Sequence, residues 1–403
     1  MLFKYIKVKT KGQIEGEKLL VPKLRFKEFK DEWKKKKIGN IISEIIEKTN
    51  DTINYPLWSL TIEDGVTPKT ERYKRGFLVK KEDNFKTVHF NNFVYNPMNL
   101  RFGAIAYHTR NIDISVSGYY NIFEINNLKT IGFWDNYFKC PAMIKRYNNI
   151  ATGSLIEKKR VHYSQFIELL VPQPSVEEQI VISQFFISLN KKIELQKQKI
   201  EALKIYKKGL IQKLIDFNNS PERSVSEFGT IITGTTPSKL IPSYWNNGTI
   251  VWVTPSDITE SKDIYTSYNM LTVDGLNAGR FIPAGSVLVT CIASIGKNAI
   301  LKTDGSCNQQ INAIIPNENF NAGYLYYLFE MKKDYLQSIA GTSATSIINK
   351  SSFEKLVFKV PSIEQQNKSS KILNCLELKI ENEKFKLKKL NLLKKSLLQQ
   401  MFI

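Results

Sequence analysis

Histidine and cysteine are scarce in this chain, and the scarcity excludes much. There are three histidines, His89, His108 and His162, and four cysteines, Cys140, Cys291, Cys307 and Cys375. The histidines do not cluster and no CxxC occurs, so neither a metal site nor a disulfide framework is expected. Long apolar runs are missing too. No stretch approaches the roughly 18 uninterrupted apolar residues of a membrane helix. Met1 to Leu20 is studded with lysine where a signal peptide would carry its apolar core. A reducing cytoplasm, away from any membrane, is the expected location. Acidic residues are also short: 38 Asp and Glu against 58 Lys and Arg leave a net charge of +20. A polyanionic partner is expected, although a lysine-favouring composition alone yields the same balance. The excess is uneven, +8 over residues 34–168 and −1 over residues 221–357. With 403 residues, 42% of them hydrophobic, the chain is long enough for two or three domains with their own cores.

The chain does have internal repetition. Pro174-Ser175-Val176-Glu177-Glu178-Gln179 recurs as Pro361-Ser362-Ile363-Glu364-Gln365-Gln366, and the copies run without a gap to Lys207-Lys208-Gly209-Leu210-Ile211-Gln212 and Lys394-Lys395-Ser396-Leu397-Leu398-Gln399. At a constant offset of 187, 16 of 42 paired positions are identical. Both copies open as helices. Ser175 can cap, Glu178 follows three residues on as in a capping box, and Gln365 matches it in the second copy. Leu189, Ile193, Gln196, Ile200, Leu203, Lys207, Leu210 and Leu214 are spaced alternately by four and three, as are Leu376, Ile380, Glu383, Leu387, Leu390, Lys394, Leu397 and Met401. This is a heptad stripe with polar interruptions at matching places, Gln196 with Glu383 and Lys207 with Lys394. Two copies in one chain most simply pair with each other, and a globule inserted between them makes the pairing antiparallel. Ile205, Ile211 and Leu195, with Leu392 and Leu398, lie off the stripe. They serve either a second interface or the chain's own globules.

The expected fold class is therefore α+β: two mixed globules separated by two long antiparallel coiled-coil helices with pseudo-two-fold symmetry. The segments are 1–33, 34–173, 174–220, 221–360 and 361–403. Phe93-Val94-Tyr95, Ile250 to Val253 and Ser286 to Thr290 read as short strands. Ala322 to Ile339 reads as a helix. Lys34-Lys35-Lys36-Lys37 reads as a solvated edge.

Apparent catalytic motifs dissolve on inspection. Ile295-Gly296-Lys297-Asn298 resembles the end of a phosphate-binding loop, but Cys291 and Asn298 replace the required Gly and Ser/Thr. Asp257 with Glu260-Ser261-Lys262 is too tightly spaced for a nuclease carboxylate set. Tyr95-Asn96-Pro97-Met98 lacks the second proline of an adenine methyltransferase motif. What is left suits nucleic-acid recognition. The first globule offers Lys69, Arg72, Tyr73, Lys74 and Arg75, then Arg101, His108, Arg110 and Tyr119. The second offers Thr235, Thr236, Ser238, Lys239, Tyr244, Trp245, Ser256, Lys297, Asn308, Gln309, Gln310, Ser343 and Thr345. Arginine reads guanine, asparagine and glutamine read adenine, and lysine holds phosphates. For each residue taken singly, a solvated loop is the competing explanation.

The paired helix starts, the Lys-Lys-x-Leu-(Ile/Leu)-Gln ends, Ile232-Thr233-Gly234-Thr235-Thr236-Pro237-Ser238 with Tyr244-Trp245 and Trp252-Val253, and Val21 to Phe26 with Trp33 carry a resemblance. On these residues the chain resembles the specificity subunit of bacterial type I restriction–modification enzymes. The resemblance implies two target recognition domains that each read half of a bipartite DNA sequence, and helices that act as a ruler. It implies double-stranded DNA as partner. Two modification subunits would bind S-adenosylmethionine and methylate adenine N6 after base flipping. Two restriction subunits would use ATP and Mg. No cofactor is implied on this chain. Residues 1–33 would lie near the end of the C-terminal helix. A stand-alone methyltransferase or nuclease with degenerate motifs, and a coiled-coil scaffold, are the other readings.

Overall fold

The computed structural model describes residues 6–8, 20–68, 85–215, 220–340 and 347–403. The candidates Lys69, Arg72, Tyr73, Lys74, Arg75, Ser343 and Thr345 lie outside them. Two compact units emerge: Met1–Lys197 with Lys386–Ile403, and Gln198–Phe385. The division cuts both long helices, Val176–Ile215 and Ile363–Gln400, in mid-course instead of at their ends. The reason lies in the cores. Each half-helix is buried against the globule of its own unit as well as against the other helix.

In the first unit, the strands Ile105–Tyr107, Phe93–Tyr95, Asn121–Ile125 and Ile42–Ile45 form an antiparallel sheet in that order. A three-stranded sheet orders Ile114–Val116, Phe85–Val88 and Lys48–Thr49. Phe93 and Phe123, opposite on neighbouring strands, stack at 5.2 Å, and Phe138 and Phe166 close round them. Aromatic pairs of this kind add to what area burial alone supplies. The same core takes in Phe185, Phe186, Leu189 and Ile193 of the central helix and Leu397, Met401 and Phe402 of the C-terminal segment. The Phe186 and Phe402 rings stack at 5.7 Å. Leu387 and Leu390 pack partly buried on the same cluster. Phe26 and Trp33 also belong to it, and Ile6–Val8 pairs with Leu24–Phe26. Lys34–Lys37 is a strand with all four side chains exposed, paired with Leu170–Gln173.

In the second unit, a five-stranded sheet runs Gly229–Thr233, Ile311–Pro316, Val287–Thr290, Asn298–Leu301, Asp263–Ile264. A three-stranded sheet joins Met270–Leu271, Ile250–Val253 and Gly305–Cys307. The helix expected over 322–339 is two, Ala322–Met331 and Lys333–Ala340. The break at Lys332 lets Leu336 and Ala340 turn into the core, where both are buried. Antiparallel pairing of the long helices is explicit here. As the central helix advances from Lys199 to Lys207 to Leu214, its partners fall back from Glu383 to Glu377 to Ser369. Ile200, Leu376, Ile380 and Glu383 are buried, while Leu203 and Leu210 are half-buried. Ile211, off the heptad stripe, is buried in the core of this unit with Ile215. Leu398 likewise packs on the core of the first. Those two residues serve the chain's own globules.

The repeat reaches further than the helices. Gln179 and Gln366, at matching positions, both donate from Nε2 to the proline carbonyl five residues back, Pro174 O at 3.1 Å and Pro361 O at 2.9 Å. Ser183 accepts from the Gly132 amide, and a Cβ on Gly132 would stand 2.6 Å from its Oγ. Ser370 repeats that packing, 2.2 Å from a Cβ built on Gly323. In each unit a short helix just before the long one buries a phenylalanine, Phe166 in Tyr163–Ile167 and Phe353 in Lys350–Glu354. The two phenylalanines stand at the offset of 187 seen in the helices.

The expected capping box at Glu178 does not form. Ser175 Oγ accepts from the Glu178 amide at 3.3 Å, as a cap should, but the Glu178 carboxylate turns to Arg25. Nε and Nη2 of Arg25 meet its two oxygens at 2.8 and 2.7 Å, and both side chains are buried. A bidentate pair is the stronger use of that carboxylate. Arg25→Ala strands the buried charge and is expected to cost about 3–5 kcal/mol. A double replacement by Met and Leu should recover most of that loss. Guanidinium unfolding of the single and double variants measures both; equal losses would mean the pair is not coupled.

Candidate nucleic-acid interface

In the first unit the candidates separate by burial. Arg101 is buried in the turn Leu100–Phe102, with its guanidinium 5.0 Å from the Phe102 ring. His108 is fully buried, its Nε2 2.7 Å from the Ile112 carbonyl and its ring edge-on to Trp58 at 5.4 Å. Both side chains are therefore withdrawn from the surface. Burial holds the His108 imidazole below its usual range. Arg110 and Tyr119 are exposed. The Arg110 guanidinium lies 4.9 Å over Trp58, so its planar fork is presented from an aromatic base. Arg160 stands 5.7 Å over Tyr119. Sequence reasoning missed Arg160, which lies 41 positions away. It also missed His89, whose Nε2 and Nδ1 lie 2.8 and 3.0 Å from Glu47 and Asp113. The Glu47 bond, the larger cause, raises its pKa, with Asp113 adding to it.

In the second unit several candidates converge on one loop cluster. The Thr235 amide donates to the Cys307 carbonyl at 2.9 Å, and Thr236 Oγ1 meets Gln309 Oε1 at 2.5 Å. Asn308 and Gln310 bond to each other through side chain and backbone. Trp252 Nε1 holds the Thr235 carbonyl at 3.0 Å, and Trp245 Nε1 holds the Ser238 carbonyl at 3.1 Å. The two indoles pack edge to face at 4.9 Å. Tryptophan thus tethers the loop, and its exposed members are Thr236, Ser238, Lys239 and Gln309. Gly234 is required by a close approach. A Cβ there would stand 2.2 Å from the Asn308 carbonyl oxygen and 2.3 Å from that of Cys307. Arg280, exposed, joins the cluster by donating to the Thr233 carbonyl at 2.7 Å. No sequence signal links it to a loop more than 40 residues upstream. Tyr244 is half-buried, and its carbonyl accepts from Thr272. Ser256 and Lys297 belong elsewhere: Lys297 Nζ lies 3.5 Å from the Pro255 carbonyl.

The apparent catalytic motifs have structural duties. Asp257 accepts from Thr254 and from the Tyr268 amide. Glu260 pairs with Lys384, and Lys262 donates to Asn374. Asn96 Oδ1 accepts from the Met98 amide within a turn. Burial pushes the Cys140 and Cys291 thiols up, to about 11 and about 12, which removes them as nucleophiles. Among the described residues no group of three or more His, Cys, Asp and Glu could hold a metal, and no helix is long and apolar enough to cross a membrane.

Residues 219–392 match the type I restriction modification DNA specificity domain. The match takes in the second globule and most of the C-terminal helix, and residues 1–218 lie outside it. The MjaIX specificity subunit of Methanocaldococcus jannaschii is 33% identical over 168 residues, 40% of this chain and 39% of that one. The HindI specificity subunit of Haemophilus influenzae is 32% identical over 147 residues, 35% and 32% of the two chains. The chain thus spans less than half the length of the curated relatives it matches. The solved S subunit of the type I system from M. genitalium shares the fold, with a TM-score of 0.58 and 13% identity, over 95% of this chain and 99% of that one. A chain from another solved type I system, studied for its assembly and conformational transition, gives 0.59 at 13% identity, over 92% and 97%. The Gly234–Lys239 loop lies inside the matched domain.

Two measurements follow. Gly234→Ala should separate the Thr235–Thr236 loop from Asn308–Gln309 and destabilise the second unit by about 1–3 kcal/mol, read as a lower thermal midpoint; an unchanged midpoint would show that the loop gives way freely. The histidines should act with opposite sign. His108, depressed, contributes stability above the usual 6.5 that is lost as pH falls. His89, raised, contributes below 6.5 and loses it as pH rises through its elevated value. His108→Phe should flatten the fall in stability below pH 6.5, and His89→Gln should remove the fall that sets in as pH rises above it.

Proposed function

We propose that this chain is the DNA-recognition subunit of a type I restriction–modification complex, and is itself non-catalytic. Its two globules read the two halves of a bipartite target in double-stranded DNA. The observation that carries this reading is the duplicated frame. Each unit holds one globule on an antiparallel half of the helix pair, through matching Gln, Ser and Gly contacts, yet the loops differ. The first offers arginines stacked on aromatic rings. The second offers amides and hydroxyls on a tethered loop. Common frames with unlike loops suit readers of unlike half-sites.

Assembly is the second part of the proposal. Ile187, Leu195 and Leu392 in the first unit, and Ile205, Tyr206, Leu378 and Phe385 in the second, leave apolar side chains exposed on the long helices. Ile205 is 73% exposed. Clusters of this kind suit protein partners. Two modification subunits with S-adenosylmethionine, methylating adenine N6, would dock there, and two restriction subunits with ATP and Mg would join that core.

Replacing residues 221–357 with the equivalent domain of a relative of different specificity tests the modular reading. Sequencing of methylated adenines in cells carrying the chimera should show one half of the target changed and the other retained. Both halves changing together would refute independent reading.

A further inference from the structure

Within the second unit, an open cleft of about 840 Å³ lies between the helix pair and the globule. Six lysines line it: Lys204, Lys207 and Lys208 from the central helix, Lys384 from the C-terminal helix, Lys297 and Lys333 from the globule. Three are matched by carboxylates, Lys204 by Glu201 at 2.8 Å, Lys384 by Glu260 at 3.1 Å, and Lys207 by Glu377. Lys208, Lys297 and Lys333 make no ion pair among the described residues. Glu330 and Asp334 also line the cleft and make no ion pair among the described residues, so three lysines face two carboxylates and the cleft keeps a small excess of positive charge.

Its buried wall has the opposite need. Asn298 is 3% exposed and donates from Nδ2 to Glu330 Oε1 at 2.8 Å. Its Oδ1 is buried without a hydrogen-bond partner among the described residues. A buried acceptor without a donor is costly. Glu330 is also drawn in, and burial raises its carboxyl pKa against the nearby Lys207 and Lys333. Ile258, Met331, Ile380 and the ring of Tyr326 supply apolar lining. A simple anion would satisfy the lysines but not Asn298. A ligand that satisfies both carries negative charge at one end and N–H donors on a flat, partly apolar group at the other. The volume is that of a small-molecule site and too small for a duplex.

We propose that this cleft binds a nucleoside polyphosphate, with phosphates on Lys208, Lys297 and Lys333 and a base amino group on Asn298 and Glu330. The proposal does not rest on the DNA reading, and it places a ligand on the face of the helix pair that carries the recognition globule. Occupancy would add contacts between that globule and the central helix, Lys208 on one side and Lys333 on the other.

The test uses the full chain with a fluorescent N-methylanthraniloyl ATP at low salt, and with inorganic tripolyphosphate as competitor. Saturable binding at one site is expected. Lys208→Ala with Lys333→Ala should weaken it at least about tenfold. Asn298→Ala should weaken the nucleotide but leave tripolyphosphate binding unchanged. The milder Lys208→Gln with Lys333→Gln, checked by circular dichroism, guards against a folding defect and should weaken binding in the same direction. Absence of saturation at millimolar nucleotide, or equal affinity in the lysine variants, would overturn the site. So would tripolyphosphate binding as tightly as the nucleotide, which would reduce the cleft to an anion patch. Target-duplex binding measured alongside separates this result from the DNA reading: its loss in the wild-type chain would count against that reading alone.

Discussion

Each long helix has to satisfy two surfaces at once. One stripe faces the antiparallel partner and another faces the globule of the same unit. In the first unit, Phe185, Phe186, Leu189 and Ile193 meet the sheet-bearing globule and Leu397 to Phe402 in a single aromatic core. In the second, Ile211, Ile215 and Leu373 enter the globule's core while Ile200, Leu376 and Ile380 are buried along the helix pair. Neither interface would be complete alone, because the heptad stripe is interrupted by charge. Lys199 with Glu383 and Lys207 with Glu377 fill those gaps with ion pairs. Partly buried pairs of this sort do more for register than for stability.

The loops proposed to read DNA depend on that double anchoring. Pairing of Glu222–Ser224 with Val357–Lys359 brings the two ends of the second globule together just before the C-terminal helix starts. Gln366 then ties the helix start to Asn319, Asn321 and Pro361. From that base the five-stranded sheet carries Gly229–Thr233 to the edge where the Thr235–Lys239 loop begins. Two tryptophans hold the loop by its carbonyls, and the exposed Thr236 and Gln309 side chains are bonded to each other across it. A rigid support under short polar side chains is what discrimination by hydrogen bonds needs.

Much of this was legible in the chain. The helices, their extent and their antiparallel pairing follow from a repeat with constant offset and a heptad period, since such periodicity reports a buried stripe directly. Three short strands were legible from β-branched runs ending at turn residues. The candidate site was less so. Arg101 and His108 read as partners for an anion because side-chain type carries no information on burial. Arg160 and Arg280 were invisible because their neighbours, Tyr119 and Thr233, are distant in sequence. The extension of the repeat into the globules was present in Phe166 and Phe353, yet two matches in a variable stretch do not stand out without the fold.

The sequence alone therefore determined the duplicated plan, its two helices and its family likeness, because these rest on periodic patterns that local chemistry imposes. Tertiary structure alone decided where polar side chains were used. Glu178 left its cap for Arg25, Ile211 left the helix surface for a core, and the lysines around Asn298 came from four separate segments. Such choices depend on which groups meet across long loops. A buried charge or acceptor takes the best partner in space, and distance along the chain does not enter into it.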